Sequence, residues 1–113
     1  MAVQRNARQR KKMHLGEYQE LGFLIKFSFA ENTGIDQIDE TVDRFIDEVI
    51  KPNGLALEAN GYLNWEGLVC LEKLGKCDES HRQLVKTWLE NNGLKNVQVS
   101  ELFDIWWDYP TQA

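Results

Sequence analysis

The chain has few of the residues that would indicate a secreted or membrane-bound protein. Only two cysteines, Cys70 and Cys77, occur among its 113 residues, which is too few for the disulfide framework of a small secreted domain. No apolar run approaches the length of about 20 residues that crosses a bilayer, and no apolar segment follows the basic N-terminus as it would in a secretory signal. These absences predict a cytoplasmic location and no membrane partner.

Residues that could catalyse a reaction or hold a metal are also sparse. The two cysteines are seven positions apart, so the spacing of a zinc finger is missing. The stretch "LGKCDES" has Gly-Lys but lacks the upstream glycine of a phosphate-binding loop. We therefore predict that the protein is not an enzyme and has no metal site and no cofactor. A zinc site is one alternative and would use His14, Cys70, Cys77 and His81. A catalytic nucleophile is another and would pair Ser80 with His81. General acid–base catalysis is the third and would use Glu66, Asp104 and Asp108.

Charge, by contrast, is abundant and unevenly placed. The chain carries 13 Lys and Arg against 18 Asp and Glu, a formal net charge of −5. Residues 1–14 contain five of the cations and no carboxylate, so that residues 15–113 carry eight cations against all eighteen acids. A cationic arm suits phosphate backbones, and an acidic body suits basic protein surfaces; a solubilising tail is the other interpretation of the arm. The cations of the arm are Arg5, Arg8, Arg10, Lys11 and Lys12.

Apolar periodicity predicts a strand, a helix and a hairpin in the first part of the body. Residues 23–29 alternate between apolar and polar, as in a half-buried strand. The helix that follows is predicted to be capped by Thr33 and to stop at Pro52. Asn60-Gly61 is a preferred two-residue hairpin turn, and Gly67 in the return strand is a candidate β-bulge.

A second helix and a last strand complete the predicted fold. Asp78 is the predicted cap of the helix, Gly93 its end, and a single strand is predicted from Val97 to beyond Ile105. The order strand, helix, strand, strand, helix, strand predicts an α+β, ferredoxin-like split βαβ fold. Its four-stranded antiparallel sheet would carry both helices on one face. The predicted organisation is a disordered basic arm over 1–14, one domain over 15–109 and a tail over 110–113.

Aromatic residues near the end of the chain offer a candidate partner surface. Adjacent Trp106 and Trp107 would point to opposite faces of a strand, so that one of them enters the core and the other meets the open sheet face. The alternative is that both rings cover the edge of the core, and Trp65 presents the same choice. Tyr18 lies between the arm and the first strand, where it could dock the arm on the body. The candidate partner surface is therefore Tyr18, Trp65, Asp104, Trp106 and Trp107.

Three stretches in this order resemble the YggL family of small bacterial proteins: "RKKMHLGEYQELGF" (10–23), "YLNWEGLVCLEKLGKC" (62–77) and "SELFDIWWD" (100–108). The resemblance covers about residues 5–108. It implies a cytoplasmic, non-enzymatic protein that binds the large ribosomal subunit and acts in ribosome assembly or translation. It supplies no binding residues, so the sites named above depend on charge and exposure alone.

This resemblance gives the two charged regions separate targets. The large subunit presents both phosphate backbone and basic proteins, so the five arm cations are predicted to neutralise ribosomal RNA phosphates while the acidic body faces a ribosomal protein. The alternative is an acidic protein–protein adaptor that makes no RNA contact. The free protein is expected to be a monomer.

Overall fold

The computed structural model describes residues 20–73 and 75–105, which form one antiparallel sheet and two helices. A π-helical turn (Ile46–Ile50) and a 3-10 turn (Lys51–Asn53) prolong the first helix as far as Gly54, whose left-handed φ of 66° ends it. The predicted α+β class and the order of elements are confirmed. In chain order the elements are β1 (Leu21–Ser28), α1 (Ile35–Phe45), β2 (Leu55–Gly61), β3 (Asn64–Leu71), α2 (Glu79–Asn91), β4 (Lys95–Val99) and β5 (Phe103–Asp104).

The sheet has the order β2–β3–β1–β4, with β5 also paired to β1. The prediction of four strands is therefore wrong, because the predicted last strand divides into β4 and β5. The division occurs at Ser100, whose backbone N–H donates to Leu24 O at 2.9 Å while its hydroxyl oxygen accepts from Leu24 N–H at 2.8 Å. Since the hydroxyl replaces a backbone carbonyl in the ladder, regular pairing stops there and resumes at Phe103.

One face of the sheet carries the main hydrophobic core. Phe23, Ile25 and Phe27 alternate along β1 and are buried in the same cluster as residues of α1 and α2. The helices contribute to this cluster at three- and four-residue spacing, which is the apolar stripe that their sequences predict. Both helices thus cover the same face. Their buried residues are Ile38, Val42 and Phe45 of α1 and Val85 and Leu89 of α2.

A second, smaller cluster lies on the opposite face of the sheet. It joins residues of β2 and β3 to residues 103–105, so that the end of the described chain covers part of this face. Gly22 permits the close approach, since a Cβ atom there would lie 2.6 Å from Val69 O and 3.0 Å from Ile105 Cγ2. The rest of this face is polar. The buried members of the cluster are Ala56, Leu68, Cys70, Phe103 and Ile105.

The hairpin of β2 and β3 turns two residues later than predicted. Backbone pairing continues through Asn60 and through Gly61, which lies opposite Trp65, and the turn falls at residues 62–63. The indole N–H of Trp65 donates to Tyr62 O at 2.8 Å and so holds the turn in place. Gly67 keeps regular register between β1 and β2, so the predicted bulge is also wrong.

The two helices begin in different ways. Gly34 is the N-cap of α1 and makes no side-chain capping bond, so the predicted cap at Thr33 is wrong. Asp78 caps α2 as predicted, accepting hydrogen bonds from the backbone N–H groups of Ser80 and His81. The His81 ring completes a capping box, because its Nδ1 accepts from Asp78 N–H at 3.0 Å.

Candidate functional site

Most of the residues that the sequence singles out lie outside the part of the chain that the structure describes. They include the whole cationic arm, Tyr18, Trp106 and Trp107. The arm boundary and the tail over 110–113 fall there as well. These assignments remain predictions.

Trp65 lies in the core, which corrects its assignment to an exposed partner surface. Its side chain is 3% exposed, and its ring stacks parallel to Phe27 with a centroid separation of 6.2 Å. The reason is its register: Trp65 pairs with Phe27 of β1 and points toward the helices. Cross-strand aromatic pairs of this kind stabilise a sheet, so Trp65 supports the fold.

Asp104 also has to be removed from the partner surface, because it is only 4% exposed. It lies on β5 opposite Leu21, at the point where β5 pairs with the start of β1. Backbone pairing continues one residue further, where Ile105 N–H donates to Glu20 O at 3.0 Å. The pairing of β5 with β1 therefore encloses the Asp104 carboxylate.

The helical side of the molecule presents a strongly negative surface. Residues 35–48 contain six acids and a single cation, Arg44. The buried stripe of α1 points these acids away from the sheet, and five of the six are exposed. We call this set the acidic helix surface. It comprises Asp36, Asp39, Glu40, Asp43, Asp47 and Glu48.

The cation within this surface is occupied by neighbouring groups of the same molecule. The Arg44 guanidinium donates to Asn92 Oδ1 at 2.8 Å and to Glu48 Oε2 at 3.3 Å, and it lies 5.4 Å above the Trp88 ring. The Trp88 indole N–H donates to Glu48 Oε1 at 2.9 Å, and this bond, followed by those from Arg44, lowers the pKa of Glu48 below its ordinary value. The network joins α1 to α2 and keeps Glu48 charged.

The polar part of the other sheet face lies around the ends of β1, β3 and β4. Register places Lys26 between Glu66 and Gln98, and Ser28 between Asn64 and Lys95. Two adjoining grooves open there, of about 270 and 690 Å³, and both are lined by Ser28, Asn64 and Asn96. We call this region the polar sheet face. It comprises Lys26, Ser28, Asn64, Glu66, Lys95, Asn96 and Gln98.

Of the groups considered for a metal site, His14 lies outside the described residues, and Cys70 and Cys77 lie on opposite faces of the sheet. Cys70 belongs to the smaller cluster and Cys77 to the main core on the other side of the sheet. His81 is engaged in the cap of α2. Over residues 20–73 and 75–105 no group of three or more His, Cys, Asp or Glu side chains is arranged to hold a metal ion. Within the same ranges no helix combines the length and apolarity needed to span a membrane.

Fold and surfaces together define a small α+β domain whose distinctive groups lie on two surfaces, a negative helical side and a polar sheet face. The chain belongs to the YggL 50S ribosome-binding protein family, whose model matches residues 7–107. An uncharacterized protein of Haemophilus influenzae is 70% identical over 113 residues, which cover the whole of this chain and 99% of the relative. No solved structure matches the chain at a significant level.

Proposed function

We propose that this protein binds the large (50S) ribosomal subunit in the cytoplasm and acts there without catalysing a reaction. The observation that carries the proposal is the match of nearly the whole chain, residues 7–107, to the family described as 50S ribosome-binding. The segregation of charge along the sequence supports it, because a ribonucleoprotein offers both phosphates and basic protein. The protein takes part either in assembly of the subunit or in translation.

The contacts are divided between the two charged regions. Arg5, Arg8, Arg10, Lys11 and Lys12 neutralise phosphates of ribosomal RNA. The acidic helix surface faces a basic ribosomal protein, since it would repel RNA. The free protein is a monomer and needs no cofactor.

Replacing the five arm cations with Gln tests the RNA contact. We expect co-sedimentation with large subunits to weaken strongly and Tm to stay unchanged. In a salt series, the five arm contacts should contribute roughly −3 to −4 to the log–log slope, since each phosphate contact with a single-strand-like site contributes about −0.7. A control replaces three exposed lysines of the body, Lys51, Lys73 and Lys76, with Gln and is compared with the triple arm variant Arg10→Gln, Lys11→Gln and Lys12→Gln, which removes the same charge. If the arm variant still co-sediments normally at physiological salt, the arm is not the anchor.

A protein–protein adaptor without RNA contact is the second candidate function, favoured by the acidic helix surface. In this case the arm serves solubility only. Pull-downs with and without nuclease separate the two: an adaptor keeps its partner after RNA is digested, whereas an RNA-anchored protein loses it. Sucrose gradients at low magnesium, which split the subunits, identify the subunit that is bound.

A further inference from the structure

The polar sheet face lies on the side of the sheet opposite the helices and their acidic surface. Lys26, Ser28 and Gln98 alternate with the core residues of their strands and therefore point away from the main core. The acids are concentrated on the helical side, whereas the two grooves contain two lysines and two carboxylates, Glu31 and Glu66. The body thus has one side that repels a polyanion and one side where the charges balance.

Side-chain amides are the commonest polar groups in the lining of this face. Asn64, Asn96 and Gln98 each offer an N–H₂ donor and a carbonyl acceptor, the combination that reads the edges of nucleic-acid bases. The Ser28 hydroxyl donates to Asn64 Oδ1 at 2.7 Å, which orients that amide and leaves its N–H₂ group for a ligand. Asn96 has a left-handed φ of 55°, an uncommon backbone conformation that recurs at binding sites.

The surroundings of the grooves add a ring and two cations. Tyr62 in the hairpin turn is 55% exposed and directly precedes Leu63 and Asn64, which line the larger groove. An exposed aromatic ring stacks on an unpaired base without regard to sequence. Lys26 lines the smaller groove, and Lys95, which lies opposite Ser28, lines the larger one, so that a backbone following both grooves would meet a cation in each.

We propose that the polar sheet face binds a short single-stranded RNA segment, with a base stacked on Tyr62, base edges on the three amides and phosphates at Lys26 and Lys95. Glu66 would accept hydrogen bonds from base amino groups. RNA is favoured over a protein partner because the core of a protein interface is apolar, whereas the exposed residues that line these grooves all carry an amide or a charge. The identity of the RNA as ribosomal rests on the proposed function; the contact itself does not.

The test uses the full chain with its five arm cations replaced by Gln, so that binding by the body is measured alone. The probe is a fluorescein-labelled, single-stranded RNA of 12 nucleotides and mixed sequence. We expect binding in fluorescence polarisation, with shifts of the side-chain amide resonances of Asn64, Asn96 and Gln98. Lys26→Gln with Lys95→Gln should raise Kd about tenfold at low salt and reduce the salt slope by roughly 1.4, the contribution of two phosphates.

Two further variants sharpen the test. Tyr62→Ala should raise Kd at least fivefold, in line with the loss of one stacked base. Lys51→Gln with Lys76→Gln removes the same charge elsewhere and should leave Kd unchanged. Circular dichroism and Tm verify that every variant folds.

Three results would overturn the inference. The first is absence of RNA binding by the arm-neutralised chain, and the second is amide shifts produced by a basic ribosomal protein and not by RNA. The third is equal weakening by the two double lysine variants, since the attraction would then be non-specific. The proposed function fails separately, when the unmodified chain does not co-sediment with large subunits. If the unmodified chain co-sediments with large subunits but the Lys26, Lys95 and Tyr62 variants bind RNA as tightly as their parent, the inference about the polar sheet face fails and the proposed function stands.

Discussion

Gly67 fixes the separation of β2 and β3 and with it the position of the hairpin beside the polar sheet face. A Cβ atom at this position would lie 2.5 Å from Ala59 Cβ, 2.7 Å from Glu58 O and 2.9 Å from Ala59 Cα. Two of these three atoms belong to the backbone, so no side-chain rotation relieves the contact. The glycine serves close packing of two strands in regular register, and a bulge is not needed to explain it.

We therefore expect Gly67→Ala to destabilise the domain by about 1–3 kcal/mol, the usual cost of forcing an extra carbon into a packed site. Tm should fall by about 4–8 °C for each kcal/mol in a domain of this size. Gly34→Ser is the contrasting variant, because a Cβ atom at Gly34 meets nothing within 4 Å and the hydroxyl can cap α1. Thermal unfolding followed by circular dichroism measures both. An unchanged Tm for Gly67→Ala would show that β2 and β3 can separate freely.

At the scale of the element, the start of α2 depends on a charged cap. Hydrogen bonds from the Ser80 hydroxyl and then from His81 N–H hold the pKa of Asp78 below its ordinary value of 3.8. Because the folded-state pKa is the lower one, the ionised cap stabilises the fold above the unfolded-state pKa, and this contribution is lost as pH falls through the folded-state pKa.

Asp78→Asn tests this dependence, since Asn remains a good N-cap but cannot ionise. We expect the variant to have a lower Tm than the parent by a few degrees near pH 6, and the difference to close below about pH 4. Ser80→Ala removes the hydroxyl, which lowers the pKa of Asp78 the most of its three donors, so the stabilisation by the charged cap should be lost at a higher pH in this variant. Thermal melts in a pH series provide the measurement. A difference that stays constant from pH 6 to pH 3 would contradict the role of the charge.

The two helix caps and the hairpin turn show which elements could be predicted from the sequence. Asp78 was identifiable because a capping residue stood directly before a clear apolar stripe. Thr33 failed because Gly34 takes the N-cap position itself, while Thr33 N–H donates to Ala30 O in the preceding turn. The Asn60-Gly61 turn failed because burial of Trp65 opposite Phe27 decides the register. Local signals thus failed where a neighbouring turn, as at Thr33, or a distant contact, as at Trp65, competed with them.

Contacts between distant residues also limited what could be predicted of the two candidate surfaces. The excess of acids was visible in the sequence, but its concentration on one side required the orientation of α1. Trp65 and Asp104 could not be assigned, because burial depends on the pairing of β1 with β3 and with β5. The polar sheet face could not be predicted as an RNA site, because the stretch 62–71 contains Glu66 and no Lys or Arg, which disfavours a standard RNA-recognition sheet. Its members are spread over 73 positions, from Lys26 to Gln98, and only the strand order β3–β1–β4 brings them together.

At the scale of the whole molecule, the two surfaces are separated by the sheet itself. The main core lies between the sheet and the helices, so the acidic helix surface and the polar sheet face point in opposite directions. A protein with this arrangement can lie between two different components. The acidic side suits a basic protein, and the arm with the sheet face suits RNA.

Neutralising the acidic helix surface tests this division. The triple variant Asp36→Asn, Glu40→Gln, Asp43→Asn changes three exposed residues of α1 and leaves the core unchanged. We expect Kd for large subunits to rise on the order of tenfold, mainly through slower association, because rim charges act chiefly by electrostatic steering. The matched control, Glu58→Gln, Glu90→Gln and Glu101→Gln, makes the same change in net charge away from α1. If both triple variants bind large subunits with the same Kd, the effect comes from net charge alone. If the α1 variant binds more tightly than the parent, the acids of α1 face RNA, and the assignment of the helical side to a basic protein is wrong.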